Sequence, residues 1–241
     1  MSFCVHIPRT AEYHFDEVKI SRFAAGEIYH CNVEPEVDGI AGEEVLVYEI
    51  RKHKIEIRKQ NLERRAAIPP EVRRERDKRI CKNILSSAVY RYADVLLLYY
   101  PIKGEVDVLP VMTAALAAGK KVAFPRCFAQ ERSMTFHYVA SEEDFENGTY
   151  GLREPLETLP AFDFRTEGDK NVLCIVPAVV YDRNGYRIGY GGGYYDRFFG
   201  QFRPASIGVA YNEFIVKSVP HGRYDISVDV VVSERGIYAR K

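Results

Sequence analysis

The stretch Val176-Pro177-Ala178-Val179-Val180-Tyr181-Asp182-Arg183-Asn184-Gly185-Tyr186-Arg187-Ile188-Gly189-Tyr190-Gly191-Gly192-Gly193-Tyr194-Tyr195-Asp196-Arg197-Phe198-Phe199 decides how this chain is read. An apolar run enters a loop with glycine at 189, 191, 192 and 193, and the loop opens onto a segment of helical character. Glycine at that density removes Cβ atoms and lets successive backbone N–H groups turn toward one ligand. A helix N-terminus just beyond adds positive potential, and Arg187 adds a full charge. The combination reads as a seat for phosphate, with a Gly/Tyr-rich structural turn as the competing reading. It is not a Walker A loop, because Tyr194-Tyr195 stand where Lys-Ser/Thr would follow. It is not a dinucleotide or kinase loop either, because Tyr194 occupies the place of the third glycine.

Working outward, Val172 to Val176 is a strand feeding the loop and Tyr194 to Phe199 a helix leaving it. Val95-Leu96-Leu97-Leu98-Tyr99-Tyr100 is a continuous apolar run, typical of a strand covered on both faces. Asp107 is placed to cap a helix from Val108 to Ala118, which Gly119 ends. Lys121 to Pro125, Met134 to Val139, Ala205 to Ala210 and Val228 to Val232 read as further strands. Upstream, a highly charged helix is expected from about Glu49 to Ala67. A second begins at Pro69-Pro70-Glu71, with Val72, Ile80, Ile84 and Ala88 on one face. Strand and helix alternate. The fold class is therefore α/β, a mostly parallel sheet with helices on both faces, in a single three-layer domain with an N-terminal extension. Domain limits are set at 1–50 for an acidic extension and 51–241 for the α/β domain. Within the extension YHFDEVKI, EIYHCNV and EEVLVYEI contain β-favouring residues and read as short strands or irregular chain.

The 241 residues suffice for one large domain, and no apolar run approaches the roughly 20 residues needed to cross a bilayer. Cys4, Cys31, Cys81, Cys127 and Cys174 are scattered, with no Cys-x-x-Cys pair, so neither a zinc site nor a disulfide framework is indicated and a reducing cytoplasm is the expected location. Net charge is zero but unevenly spread. Residues 1–50 hold three Lys/Arg against ten Asp/Glu, whereas residues 51–91 hold fourteen against five, a balance of +9. A stretch this basic is ordinarily a solvated helix face; the sharper readings are a small polyanion or nucleic acid. Aromatic residues are not interleaved with the charges, which argues against nucleic acid.

Ligands of such sheets sit beyond the carboxyl ends of the strands. Glu105, in Pro101-Ile102-Lys103-Gly104-Glu105-Val106-Asp107, follows a buried strand across a glycine turn; its carboxylate faces a ligand or caps the next helix. Tyr100 reads as a strand-end aromatic. Lys54 and Arg58 lie four apart and so share a helix face; taken alone, the pair reads as surface charge. Asp196, just after the glycines, is placed as a Mg²⁺ ligand beside phosphate, or as a first-turn carboxylate stabilising its own helix.

The string GYRIGYGGGYYDRF, preceded by VPAVVYD, resembles the signature of the 5-formyltetrahydrofolate cyclo-ligase family. The match takes in Pro177, Asp182, Gly185, Arg187, Gly189, Gly191, Gly193, Tyr195, Asp196 and Arg197, with Tyr181 in place of Phe and Ile188 in place of Leu. Lys54-Ile55-Glu56-Ile57-Arg58-Lys59, Phe124-Pro125-Arg126, and Gly148-Thr149-Tyr150-Gly151-Leu152-Arg153-Glu154-Pro155 also resemble family segments, and the likeness runs from about Lys54 to Glu234. It implies ATP-dependent conversion of 5-formyltetrahydrofolate to 5,10-methenyltetrahydrofolate, with Mg²⁺ as cofactor. It implies that Lys54, Arg58, Arg187, Gly189, Tyr190, Gly191, Gly192, Gly193, Tyr194 and Tyr195 line the ATP site. Tyr100, Glu105 and Tyr195 would meet the folate, Arg187 and Tyr195 would serve catalysis, and Asp196 and Asp225 would hold the metal, with Asp229 as the rival of Asp225. His221 reads as a loop or core histidine. The basic segment suits a polyglutamylated folate, and neither nucleic acid nor membrane is expected as a partner. Two other readings stand beside this one: a relative that binds nucleotide or folate without turnover, and a nucleic-acid-associated protein. Residues 1–50 lie outside the likeness, either as an accessory segment whose acids pair with the basic helices or as an upstream translation artefact.

Overall fold

The computed structural model describes residues 40–148, 151–167 and 170–239, so most of the expected acidic extension lies outside the described residues. Five helices are described: α1 (Ile40–Ala66), α2 (Pro70–Ser86), α3 (Ala88–Tyr92), α4 (Leu109–Ala117) and α5 (Tyr194–Gln201). The main sheet contains β1 (Val95–Leu97), β2 (Lys121–Phe128), β3 (Ser133–Val139), β6 (Val172–Pro177), β9 (Ala205–Val209), β11 (Val230–Ser233) and β12 (Gly236–Ala239). Smaller pieces are a hairpin of β4 (Phe145–Asn147) and β5 (Arg153–Pro155), and a three-stranded sheet of β7 (Val180–Asp182), β8 (Arg187–Ile188) and β10 (Ile215–Val216).

The main sheet runs β12-β11-β9-β6-β1-β2-β3. The five strands from β11 to β2 are parallel, and β12 and β3 close the edges antiparallel. From β1 the chain crosses through α4 to β2 on one side; from β6 it crosses through α5 to β9 on the other. Parallel crossovers are right-handed, so reversing their direction puts α4 and α5 on opposite faces of the sheet. Both faces are thereby covered, and β1 is buried at every position, as are the first five residues of β6. The core centres on Leu96, Leu97, Leu98, Leu173 and Ile175, all fully enclosed.

Several expected boundaries shift. EEVLVYEI is helix, not strand, because α1 begins at Ile40 and crosses the residue-50 boundary. From Glu43 to Ile68 the chain has no Gly or Pro, and Glu, Leu, Lys and Arg outweigh the β-branched residues on which the strand reading rests. Ala88 belongs to α3 rather than α2, since Ser87 ends α2 and caps α3 through its hydroxyl, which accepts from the Tyr90 N–H. Val108, not Asp107, is the N-cap of α4, although the Asp107 carboxylate still accepts from the Leu109 N–H at 3.0 Å. β2 continues past Pro125 because β1 pairs only with residues 121–123, so the missing proline N–H breaks no bond on that side. The strand expected over Val228–Val232 starts at Val230 and is followed by an additional strand, β12.

The turn between β7 and β8 holds the Gly-rich stretch in place. Asp182 is fully buried, and its carboxylate accepts from the N–H groups of Asn184 and Tyr186 through Oδ1 and of Val219 through Oδ2. Gly185 has φ +84°, and a Cβ there would stand 2.3 Å from the carbonyl oxygen of Val228, so the close approach of the two segments requires glycine. Removing the Asp182 carboxylate strands buried N–H donors. Asp182→Ala is therefore expected to cost about 3 kcal/mol or more of folding stability, read by urea denaturation; a loss within about 0.5 kcal/mol, the range of an ordinary surface substitution, would contradict this role.

Candidate active site

The chain order reverses between β1 and β6, and in open α/β sheets the crevice beyond the carboxyl ends at such a reversal receives ligands. The loop after β1 carries Lys103, Gly104 and Glu105; the segment after β6 leads through β7 and β8 into the Gly-rich loop. Across both lies α1. Its inward face bears Lys54, Arg58, Asn61 and Arg65, spaced four, three and four apart, so one helical stripe turns polar and basic groups toward the domain. The basic segment is therefore only partly a solvated face.

Each cation on that stripe finds a partner in the crevice. Lys54 Nζ lies 2.6 Å from both oxygens of Asp225. Arg58 Nε donates to the carbonyl of Gly189 at 2.6 Å, and burial lowers the guanidinium pKa. Arg65 is 3% exposed; it donates from one terminal nitrogen to the Ala178 carbonyl at 3.0 Å and from the other to the Tyr190 hydroxyl at 2.5 Å. Lys103 stands 5.5 Å from the Tyr190 ring centre. Gly191, at φ +99°, packs so near Arg58 that a Cβ would come within 3.3 Å of the guanidinium, which adds a contact reason to the conformational one for glycine there. The Gly192 carbonyl accepts from the Arg197 guanidinium at 2.7 Å, and Gly192 packs against the Tyr194 ring. Gly193 is the N-cap of α5.

Arg187 is turned inward. On β8 it is buried, and a buried guanidinium needs partners. One terminal nitrogen donates to the Ile226 carbonyl at 2.6 Å and the other to Asp196 Oδ1 at 2.8 Å. Asp196 Oδ1 also accepts the Ile226 N–H at 3.0 Å. The Arg187–Asp196 pair thus binds the start of α5 to the segment that carries Asp225. Asp225 Oδ2 accepts the Gly222 N–H at 2.6 Å in addition to Lys54, whereas Asp229 is engaged by the N–H and hydroxyl of Ser206 at the amino end of β9, the far end of the sheet. His221 stacks on Tyr186, ring centres 3.7 Å apart. Tyr195 packs at 6.3 Å from Phe199, and its hydroxyl is buried with no hydrogen-bond partner among the described residues.

Glu105 is 8% exposed. Its Oε2 accepts the Ile102 N–H at 3.0 Å, and burial pushes its carboxyl up to about 7, an effect that the Ile102 hydrogen bond and the charges of Arg65 and Lys103 partly offset. It borders a narrow cavity together with Arg65, Tyr99, Ala178, Tyr211 and Phe214. Tyr100 is not among the cavity residues. It turns toward the β4–β5 hairpin, edge-on to Phe145 at 5.2 Å, with the Arg153 guanidinium 5.4 Å from its ring centre. Glu154 serves the fold: it is buried, and its carboxylate accepts the Cys127 N–H at 3.1 Å, tying the hairpin to β2. Among the described residues no group of three or more His, Cys, Asp or Glu is arranged to hold a metal ion.

The structure therefore gathers Lys54, Arg58, Glu105, Arg187, the loop glycines, Tyr190, Asp196 and Asp225 around one crevice, while the Tyr100 ring, just past β1, packs against Phe145 of the hairpin. Sequence reasoning misses Arg65, Asn61 and Lys103. The signal for the first two is the extension of the Lys54/Arg58 spacing by further helical steps; Lys103 is next to the glycine that precedes Glu105.

A sequence model described as the 5-formyltetrahydrofolate cyclo-ligase family matches residues 50–234. The chain is 27% identical over 165 residues to a probable 5-formyltetrahydrofolate cyclo-ligase of Caenorhabditis elegans, covering 64% of this chain and 80% of that protein. It is 26% identical over 181 residues to the 5-formyltetrahydrofolate cyclo-ligase of Escherichia coli K12, covering 73% of this chain and 97% of that one. The solution structure of Aquifex aeolicus 5,10-methenyltetrahydrofolate synthetase superposes with a TM-score of 0.67 at 31% identity, covering 77% of this chain and 92% of its own. The Mycoplasma pneumoniae 5,10-methenyltetrahydrofolate synthetase shares the fold, with a TM-score of 0.60 at 20% identity over 75% of this chain and 98% of its own. With a match across most of its length and a like-folded relative, the chain belongs to the 5-formyltetrahydrofolate cyclo-ligase family.

Proposed function

We propose that this protein is an ATP-dependent ligase that converts 5-formyltetrahydrofolate to 5,10-methenyltetrahydrofolate, releasing ADP and phosphate. The observation that carries the reading is the inward basic face of α1 laid against the Gly-rich loop, with the buried Glu105 at the adjoining strand end. In the reaction the formyl oxygen attacks the γ-phosphorus and ADP leaves; N10 then attacks the activated carbon, and phosphate departs as the ring closes. Such chemistry needs positive charge and in-line placement more than a protein nucleophile. Lys54, Arg58 and the loop amides of residues 189–193 supply that field, Glu105 orients the folate, and Tyr195 packs beside the reactants. Arg187 acts by holding Asp196 and the Tyr195 end of α5.

Magnesium, when bound, neutralises phosphate charge. Asp196 fits it through Oδ2, since only Oδ1 is engaged; Asp225 fits less well while Lys54 and Gly222 hold both its oxygens. The ion would then rest on one carboxylate and on phosphate oxygens. A polyglutamate tail on the folate and a cytoplasmic location also belong to this proposal, supported by the basic helices and the free thiols Cys81 and Cys174. Among the described residues no helix is long and apolar enough to cross a membrane.

Purified protein with ATP, Mg²⁺ and 5-formyltetrahydrofolate is expected to develop the methenyl chromophore, and chelating Mg²⁺ to stop it without lowering the unfolding temperature. No absorbance change from folded protein would sink the reading. Lys54→Met is expected to raise the KM for ATP about 10- to 100-fold, the worth of one charge-assisted contact. Stability reports on Glu105 independently. The native carboxyl keeps its proton to about pH 7 while the unfolded chain releases it near 4.5, so the native state holds more protons between those values and stability falls as pH rises through them. Glu105→Gln is accordingly expected to be more stable than the parent by something on the order of 3 kcal/mol above pH 7, with the two converging toward pH 4, in urea titrations across pH.

A further inference from the structure

Arg65 is a buried cation with one nitrogen that makes no hydrogen bond among the described residues. Its terminal nitrogens are committed to Ala178 and Tyr190, but Nε is buried and has no partner among the described residues. A guanidinium carries five N–H groups, and a buried one left unmade is costly unless something else accepts it. Arg65 lines the same cavity as Glu105, whose Oε1 makes no hydrogen bond among the described residues. The free core of that cavity is about 10 Å³, room for a single oxygen-sized group rather than a ring. A charged donor and a carboxyl acceptor on one small cavity suit a ligand edge with a carbonyl oxygen beside an N–H, that is, a lactam.

We propose that Arg65 is a substrate-binding residue that forms, with Glu105, a two-point clamp on the lactam edge of the folate ring system: Arg65 Nε donates to the ring carbonyl while Glu105 accepts the adjacent ring N–H. The inference rests on the proposed folate reaction and names how that substrate is held. Its second consequence follows from Tyr190. The same guanidinium that meets the folate donates to a hydroxyl on the Gly-rich loop, so the clamp is built against the wall of the nucleotide site. Val106, Ala178, Val209 and Phe214 complete the lining of the small cavity that receives the ring carbonyl oxygen.

The charge environment of Glu105 provides a second readout, beside the folate affinity that reports the contact itself. The groups facing it are Arg65 from α1, Lys103 from its own loop, Tyr99 just after β1, Tyr181 on β7, Tyr190 on the Gly-rich loop and Tyr195 on α5. Burial raises all four tyrosines, so they stay neutral, and Arg65 and Lys103 are the charges that favour the carboxylate.

The test compares Arg65→Met, which removes the charge, with Arg65→Lys, which keeps charge and stem but loses the fork. Calorimetry with 5-formyltetrahydrofolate reads the clamp without turnover, and steady-state kinetics reads KM for each substrate. Both variants are expected to weaken folate affinity about 10- to 100-fold, and to raise the KM for ATP by a smaller factor through the lost Tyr190 contact. In Arg65→Met the acid limb of kcat/KM for the folate should also move to higher pH, and in Arg65→Lys it should stay. Unchanged folate affinity in folded variants would overturn the clamp, as would a parallel loss of ATP and folate affinity with no shift of the limb. If Arg65→Met fails to fold, Arg65→Lys decides alone through its folate affinity. Parent protein that binds folate and turns over, beside variants that bind equally well, defeats the clamp only; parent protein that neither binds folate nor forms product defeats the reaction and the clamp together.

Discussion

Cations turned inward need partners, and this requirement organises the molecule. α1 presents Lys54, Arg58 and Arg65 to the domain, where water is scarce and an unpaired charge is expensive. The partners are a carboxylate, two backbone carbonyls and a tyrosine hydroxyl, all on the stretch after β6 or on the segment it is bound to. That stretch has to stand still for the contacts to form. The buried Asp182 carboxylate, the close approach of Gly185 to Val228 and the Arg187–Asp196 pair are what hold it.

The crevice itself follows from sheet topology. Because the crossovers leave β1 and β6 in opposite directions, the loops at their carboxyl ends diverge and leave a gap between them. One loop brings Glu105, the other the glycines, and α1 spans both. A phosphate-bearing ligand and a heterocycle can then occupy adjoining seats, with Arg65 touching the framework of each. Burial supplies the chemistry as well as the shape: the same desolvation that raises Glu105 makes every hydrogen bond offered to a ligand there worth more than in water.

Much of this is legible in the chain. Continuous apolar runs such as Val95–Leu98 and Val172–Val176 identify strands covered on both faces, and the glycine spacing identifies the loop. Where the structure departs from the sequence reading, a local signal loses to context. Val45 and Val47 suggest a strand at EEVLVYEI, but the neighbouring residues favour helix and nothing interrupts it. The edge strand β12 is only four residues with alternating exposure, too short to announce itself. Arg187 reads as a charge offered to phosphate, yet its burial on β8 commits it to Asp196 and Ile226.

By itself, then, the sequence determined the α/β class, the place of the Gly-rich loop and the family, because those depend on local propensity, hydrophobic pattern and a long ordered string of residue types. Only the tertiary structure decided which side of α1 faces inward, which cations are already paired, and that Arg65 and Glu105 share a cavity. Those facts join residues 40 positions apart or more, and no local pattern carries a contact over that distance. A buried charge is defined by what surrounds it, and what surrounds it comes from the whole fold.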